Sequence, residues 1–155
     1  MRMHSIRIAA AGFLALLAMP GHLVAQEDES QVLATVQRFF DSMTARDTAS
    51  ARDILVMDAT YFSVRQGTDG TVMRGSTNRQ YVEQLATPGD LFQEQMFNPR
   101  VLIHEDIAVV WTRYDFHRNG AFSHCGVDAF SLVRTNGQWK IAGIVYTVER
   151  ECEEE

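Results

Sequence analysis

The first half of the chain places apolar side chains at helical spacing. In residues 29–46 they recur every three or four positions, which is typical of one face of an α-helix. The positions are Val32, Val36, Phe39, Phe40 and Met43. A second, short helix is predicted over residues 47–57 with Asp47 as its cap. A third, over residues 76–89, is capped by one of its first two residues and ended by Pro88-Gly89.

The rest of the chain alternates apolar and polar positions, as β-strands do. A strand over residues 59–64 leads into a glycine-rich hairpin, and long strands follow from residue 92 onwards. Asn119-Gly120 and Asn136-Gly137 separate the last three strands, and Asn-Gly favours a tight hairpin because both turn residues must adopt positive φ. Helices followed by a meander of antiparallel strands predict an α+β fold, with the helices packed on one face of a curved sheet.

The two Asn-Gly turns also predict a register, if each closes an ideal ladder. Asp128 then lies opposite Trp111 and Val145, and His124 lies opposite Asp115. Residues four apart on a strand share a face, so His124 and Asp128 point the same way. That face is predicted to collect Val109, Trp111, Arg113, Asp115, His124, Asp128, Phe130, Ile141, Val145 and Thr147. The opposite face is predicted to collect Val110, Thr112, Tyr114, Phe116, Val127, Ala129, Ala142, Ile144 and Tyr146.

Both predicted faces are rich in apolar side chains. A sheet with two apolar faces needs two covers, and the helices supply one of them. A second copy of the same sheet is the expected other cover. The pattern therefore predicts a homodimer, with Tyr114, Ala129, Ile144 and Tyr146 near its interface.

The N-terminus has the layout of a secretory signal peptide. Arg2 and Arg7 precede an uncharged apolar run of 12 residues, Ile8–Met19, which is shorter than the roughly 20 residues that span a bilayer. Cleavage is expected after Ala25, which gives a signal peptide over residues 1–25 and one domain over residues 26–155. The mature protein is expected to be periplasmic or secreted, with no membrane attachment after cleavage.

Charge and cysteine content narrow the classes of function. Removing residues 1–25 takes away two arginines and no acid, which leaves 12 basic against 20 acidic residues and a net charge of −8. No basic cluster is present, so nucleic acid is not an expected partner. The oxidising compartment favours a disulfide between Cys125 and Cys152, whereas the ideal ladder places them too far apart. A bulge, or a tail that folds back, would close that gap.

The chain resembles the nuclear transport factor 2-like superfamily over nearly all of its mature length. "VQRFFDSMTARDTASARDIL" and "DATYFSV" resemble the opening helices and first strand of that family, and "GVDAFSLVRTNGQWKIAGIVYTVER" resembles its closing hairpin. The "HCG" and "WKI" segments with a terminal cysteine are similar to a SnoaL-like or lumazine-binding-like branch of small exported proteins. The resemblance implies a cone-shaped curved antiparallel sheet with the N-terminal helices on its concave face. It does not specify a chemistry.

The ketosteroid isomerases of this superfamily provide a residue-by-residue comparison. The resemblance puts the family's inner acid at Asp128. It puts the oxyanion tyrosine at Phe39 or Phe40, which have no hydroxyl, and the general base near Ser63. Two of the three catalytic groups are therefore absent, and isomerase chemistry of that type is not expected.

Asp128 and His124 are the candidate site residues, with Trp111, Arg113 and Phe39 expected to bound a ligand space beside them. A carboxyl group in an apolar pocket acquires a raised pKa, and a histidine titrates near neutrality, so the pair suits either ligand binding or acid–base chemistry. The structural alternative is that Asp128 accepts hydrogen bonds from Arg113 or Trp111, while His124 pairs with Asp115 across the strands.

Three classes of function remain: a protein that binds a small, partly apolar molecule, an isomerase-, dehydratase- or hydrolase-type enzyme, and a purely structural dimer. An open cone of several hundred Å³ favours the first two. A cone filled by Phe39, Phe40, Trp111 and Met96 favours the third. No cofactor is expected, and the histidines show no spacing typical of a metal site.

Overall fold

The computed structural model describes residues 20–152, with side chains from residue 26. Its helices are α1 (Pro20–Ala45), α2 (Thr48–Ile54) and α3 (Asn78–Ala86). Its strands are β1 (Thr60–Gly67), β2 (Gly70–Thr77), β3 (Phe92–His104), β4 (Ile107–Arg118), β5 (Ala121–Thr135) and β6 (Gln138–Thr147). This arrangement confirms the α+β fold with the first helix packed on a curved sheet. No helix within residues 20–152 has the length and apolar character needed to cross a bilayer.

Helix α1 places its apolar stripe against the sheet. Val32, Val36 and Phe40 are fully buried in contact with the core, as their spacing predicts. The helix begins at Pro20, well before the predicted start at Glu29, but its first buried side chain among the described ones is Val32. The predicted leader falls mostly on residues 1–19, which lie outside the described residues.

The two short helices begin at the predicted capping residues. The Asp47 carboxylate accepts hydrogen bonds from the backbone N–H groups of Ala49 and Ser50 at 3.0 and 3.1 Å. At α3 the cap is Thr77: its hydroxyl accepts from the Gln80 N–H at 3.2 Å, and the Gln80 side chain accepts from the Thr77 N–H at 3.0 Å. This reciprocal capping box fixes the direction in which α3 leaves β2.

The six strands form one sheet in the order β2-β1-β6-β5-β4-β3. All neighbouring pairs are antiparallel except β1 and β6, which are parallel. Both Asn-Gly turns form as predicted, with φ of 54° and 77° at Asn119 and Gly120 and similar values at Asn136 and Gly137. The hairpins were therefore predicted correctly.

The predicted register is wrong, because each hairpin contains a β-bulge. Phe116 pairs with His124 while His117 pairs with Phe122, which leaves Ser123 as an extra residue in β5. Ala142 is the corresponding extra residue in β6. Successive side chains of a strand point to opposite faces of the sheet, so one extra residue changes which residues of two neighbouring strands share a face. The two bulges therefore change the predicted composition of both faces.

Asp128 therefore pairs with Thr112 and Tyr146 instead of Trp111 and Val145. The concave face, which the helices cover, carries Tyr114, Phe116, His124, Asp128, Phe130, Ile144 and Tyr146. Trp111 and Arg113 lie on the opposite, outer face. His124 and Asp128 do share a face, as predicted.

The outer face is apolar and open to solvent. Leu102, Trp111 and Val145 are 73%, 55% and 48% exposed. Of the residues predicted at a dimer interface, Tyr114 and Ile144 are instead buried inside a single chain. For these two residues and for Tyr146, which lines the inner cavity, the assignment is wrong for the same reason as the register. Ala129 pairs with Trp111 and Val145 on the outer face, and the homodimer itself stays a prediction.

Cys125 and Cys152 form a disulfide, with Cα atoms 6.0 Å apart. The backbone of Cys125 pairs with Glu149 through hydrogen bonds of 3.0 and 2.9 Å, and the chain then bends back. The bulge in β6 and this bend close the gap that an ideal ladder would leave. Cys125 is therefore not available as a nucleophile.

Candidate ligand cavity

An open cavity of about 520 Å³ lies between α1, α3 and the concave face of the sheet. Its walls are largely aromatic and include Phe39, Tyr61, Tyr81, Phe92, Phe116 and Phe130. The cone is not filled in the way that a purely structural domain requires. Phe40 and Met96 pack into the adjoining core, and Trp111 points away from the cavity to solvent.

Asp128 forms part of the cavity floor. It comes from the middle of β5, is only 2% exposed, and its Oδ2 receives no hydrogen bond from a donor group of the described residues. Buried carboxyl oxygens normally have a donor, so this one marks a place where a proton or a ligand belongs. The structural alternative, in which Arg113 or Trp111 satisfies Asp128, does not apply because both lie on the outer face.

The neighbour of Asp128 is a second acid, Glu94, which the sequence interpretation missed. Glu94 comes from β3 and its carboxyl group lies within hydrogen-bonding range of Asp128. A signal was present in the sequence, since Glu94 alternates with Phe92 and Met96 and therefore shares their inward face. A lone glutamate at an inward position of a strand is rare unless it has a partner.

The two carboxyl groups perturb each other's ionisation. Burial raises the pKa of Asp128 to about 7. Burial, and then the nearby charge of Asp128, raise the pKa of Glu94 well above its ordinary value. The two groups titrate as a unit, and the raised pKa values favour retention of a proton within the pair. Such a pair offers both a hydrogen-bond donor and several acceptors to whatever occupies the cavity.

Three tyrosines surround the carboxyl pair. Tyr114 donates its hydroxyl hydrogen bond to the Thr147 carbonyl at 2.6 Å, and burial raises its pKa above the ordinary range. Burial raises the pKa values of Tyr146 and Tyr81 as well. The Tyr81 hydroxyl lies beside Ser42 without a well-formed hydrogen bond, so it is a second polar group that remains available in the cavity.

His124 lines the same cavity without contacting Asp128. Its ring stacks on Phe116 at 4.7 Å between centroids, and its Nδ1 lies 3.1 Å from the Ser123 hydroxyl. Burial lowers its pKa, so the imidazole is neutral at pH 7. The predicted pairing with Asp115 is wrong, because Asp115 lies on the other face, 3.8 Å from His117. His124 therefore acts as part of the aromatic wall in this arrangement.

The charged groups at the mouth of the cavity are paired with one another. Arg46 donates to the backbone carbonyls of Thr87 and Asp90, the latter at 3.0 Å. The Asp90 carboxylate accepts from Arg118 and, at 2.8 Å, from Asn119. These contacts fix the segment over residues 87–91, which we call the rim. Among the described lining residues, Arg46 is the one permanent cation, and it belongs to this rim.

Within the described part of the chain, no three histidine, cysteine or acidic side chains are grouped closely enough to hold a metal ion. The carboxyl pair alone has too few ligands for a typical protein metal site. Among the residues placed in this cavity, the sequence predicted Asp128, His124 and Phe39. It did not predict Glu94, Tyr81 or Tyr114.

Comparison with known proteins agrees with this architecture. Residues 27–147 match the model of a family described as "Putative lumazine-binding". No curated protein resembles the chain closely enough to count as a match.

Several solved structures share the fold. A nuclear transport factor 2-like protein with a cystatin-like fold from Novosphingobium aromaticivorans has a TM-score of 0.65 at 15% identity, covering 88% of this chain and 92% of its own. A protein of unknown function from Mycobacterium tuberculosis has a TM-score of 0.69 at 12% identity, covering 86% and 79%. A nuclear transport factor 2-like superfamily protein from Salmonella enterica serovar Typhimurium has a TM-score of 0.60 at 12% identity, covering 84% of this chain and 96% of its own.

Proposed function

Because the chain belongs to the "Putative lumazine-binding" family within the nuclear transport factor 2-like superfamily, we propose that it binds a small, partly apolar molecule in its cone. The observation that carries this proposal is an open cavity of about 520 Å³ whose lining includes Asp128, a buried acid with one carboxyl oxygen, Oδ2, that lacks a hydrogen-bond partner among the described residues. Cavities of this size, with apolar walls and a few convergent polar groups, are typical of small-molecule sites.

We also propose that the protein works outside the cytoplasm. The signal-peptide pattern of the first 25 residues supports export. The Cys125–Cys152 disulfide supports it independently, since such bonds persist in oxidising compartments such as the periplasm or the extracellular medium.

The wall and the floor of the cavity have different roles in this proposal. Aromatic rings such as Phe39 and Phe130 provide burial for the apolar body of a ligand. The carboxyl pair fixes its polar end, because hydrogen bonds in a buried site discriminate strongly against molecules that cannot make them. Binding without turnover is favoured, since Phe39, Phe40 and Ser63 stand where the isomerase comparison requires catalytic groups.

The test is a screen of small aromatic compounds by thermal shift, followed by calorimetry on the wild type and on Asp128→Asn. This variant keeps the shape of the side chain and removes its charge, so polar ligands should bind at least about tenfold more weakly. Asp69→Asn makes the same chemical change in the exposed β1–β2 turn and should bind like the wild type. Unchanged affinity of every hit in Asp128→Asn would refute the proposed site.

One observation favours a second candidate, an enzyme that moves a proton. Burial places the pKa of Asp128 at about 7, which suits a general acid or base at neutral pH. Glu94, rather than His124, would be the acidic partner in such chemistry, because its carboxyl group adjoins that of Asp128. Hits from the same screen should then exchange carbon-bound protons in D2O, and Asp128→Asn should abolish that exchange. Hits that bind without exchange identify a binding protein.

A further inference from the structure

The negative charge at the floor of the cavity has no internal counter-ion. Glu94 and Asp128 lie side by side, and no lysine or arginine from the described lining residues reaches them. Arg46 is committed to the rim through Thr87 and Asp90. Buried carboxylates are stable only when they are protonated or paired with a cation, so the pair keeps a proton while the cavity is empty.

The walls around this floor suit a positive charge as well. The aromatic residues Tyr61, Tyr81, Phe116 and Tyr146 line the same cavity. Aromatic faces attract ammonium groups within about 6 Å, and the attraction grows when the site is desolvated. An aromatic enclosure above two acids combines the two features that favour cations over neutral or anionic molecules.

From these observations we infer that the cone selects an organic cation: a protonated or quaternary amine carried on an apolar body. The positive group lies at the floor, where it takes the place of the shared proton beside Asp128 and Glu94. The apolar body lies against Phe39, Phe92 and Phe130 toward the rim. This inference rests on the proposed function and names the charge of its ligand.

The inference has a definite consequence for pH. A cation favours the ionised form of Asp128, so binding expels the Asp128 proton and affinity rises with pH until Asp128 is already ionised in the empty cavity. The other ionisable groups that line the cavity are Tyr114 from β4, His124 from β5, Tyr146 from β6, Tyr61 from β1, Tyr81 from α3, and Arg46 and Asp90 at the rim. Asp115 adds negative charge from behind Glu94. The raised pKa values of Tyr81, Tyr114 and Tyr146 and the lowered pKa of His124 keep these four groups neutral around pH 7, so the carboxyl pair dominates the change.

The experiment uses benzyltrimethylammonium, benzyl alcohol and benzoate, titrated into the intact protein and followed by NMR of cavity resonances. The quaternary probe keeps its charge at every pH, which isolates the titration of the protein. Since the pKa of Asp128 is about 7, the affinity of the protein for benzyltrimethylammonium should increase about tenfold between about pH 6 and about pH 8. Calorimetry in buffers of different ionisation enthalpy should detect the release of up to one proton.

Two variants and two controls complete the design. Asp128→Asn and Glu94→Gln should each weaken the quaternary probe about tenfold or more and flatten its pH dependence. Asp69→Asn and Glu83→Gln make the same changes at exposed positions. They should leave the affinity for the quaternary probe and its pH dependence unchanged. Thermal unfolding of each variant verifies that it is folded before it is compared.

The outcomes separate this inference from the proposed function. Equal or tighter binding of benzyl alcohol or benzoate in the cavity overturns the inference and leaves a binding protein for neutral or anionic molecules. A constant affinity of the cation across the pH range overturns it as well. If none of the probes nor any screened compound perturbs the cavity, both the inference and the proposed function fail.

Discussion

At the scale of single residues, Gly126 explains why the "HCG" segment contains a glycine. A Cβ atom at this position would lie 2.4 Å from the Thr147 carbonyl oxygen. That oxygen accepts the Tyr114 hydroxyl, and the Thr147 hydroxyl accepts from the Val127 N–H at 2.9 Å. The close approach of the two strands therefore holds Tyr114 in its place beside the carboxyl pair.

Gly126→Ala should displace Thr147 and break its contact with Tyr114. We expect the free energy of unfolding to fall by about 1–3 kcal/mol, as for other substitutions that overfill a packed site. Denaturant unfolding measures this difference. Gly143→Ala is the matched control, because its new Cβ would lie 3.7 Å from the nearest atom, the Thr60 carbonyl oxygen. Equal losses in the two variants would contradict the steric explanation.

At the scale of elements, the end of β6 depends on a covalent link as well as on the ladder. Beyond Asp128 and Tyr146 the regular pairing of β5 and β6 ends, and it resumes only at Cys125 and Glu149. The disulfide closes a loop of 27 residues that includes most of β5, the Asn136-Gly137 turn and all of β6. It therefore limits the freedom of the unfolded chain and holds the wall of the cavity that contains Tyr114 and Tyr146.

Reduction of the disulfide should lower the free energy of unfolding by about 3–4 kcal/mol, the loop-entropy estimate for a link of this separation. The measurement compares urea unfolding of the wild type with and without dithiothreitol. The double variant Cys125→Ala/Cys152→Ala is the control, since the reductant should have no effect on it. A reductant effect of the same size in that variant would show that the loss does not come from the disulfide.

Helix caps and turns were predictable because their signals are local. Asp47 and the Asn-Gly pairs satisfy backbone groups within a few residues of themselves. The bulges were not predictable, because Ser123 and Ala142 fit a regular strand as well as an irregular one. Whether a strand is regular or bulged depends on the packing of the whole sheet, which local sequence does not show. The bulge at Ser123 places Trp111 on the outer face, away from the predicted site.

At the scale of the whole molecule, the outer face of the sheet is an apolar surface that the described part of the chain leaves exposed. Leu102, Ile107, Val109, Trp111 and Val145 are all exposed on it. Contiguous exposed apolar surfaces of this kind are uncommon on soluble monomers. The corrected register therefore moves the expected homodimer interface from Tyr114 and Ile144 to Trp111 and its neighbours.

We expect light scattering to show a dimer at micromolar concentration, and Trp111→Lys to shift it toward the monomer, because a desolvated lysine would oppose association. Met73→Lys is the matched control, since Met73 is 65% exposed on the β1–β2 hairpin. A wild-type monomer, or equal dissociation of both variants, would contradict a dimer built on the outer face.

If the cone binds a small molecule as proposed, the rim affects how that molecule enters and leaves. Arg46, Arg118 and Asn119 anchor residues 87–91 to the end of α1 and to the β4–β5 turn. Because this side of the opening is anchored at both ends, it is not free to swing as a lid, and a molecule would have to fit the opening before it reached the acids at the floor. Entry is then limited by diffusion through an opening that the rim does not close. The residence time of such a molecule would depend on its contacts with Asp128 and Glu94 at the floor, rather than on the opening of a lid.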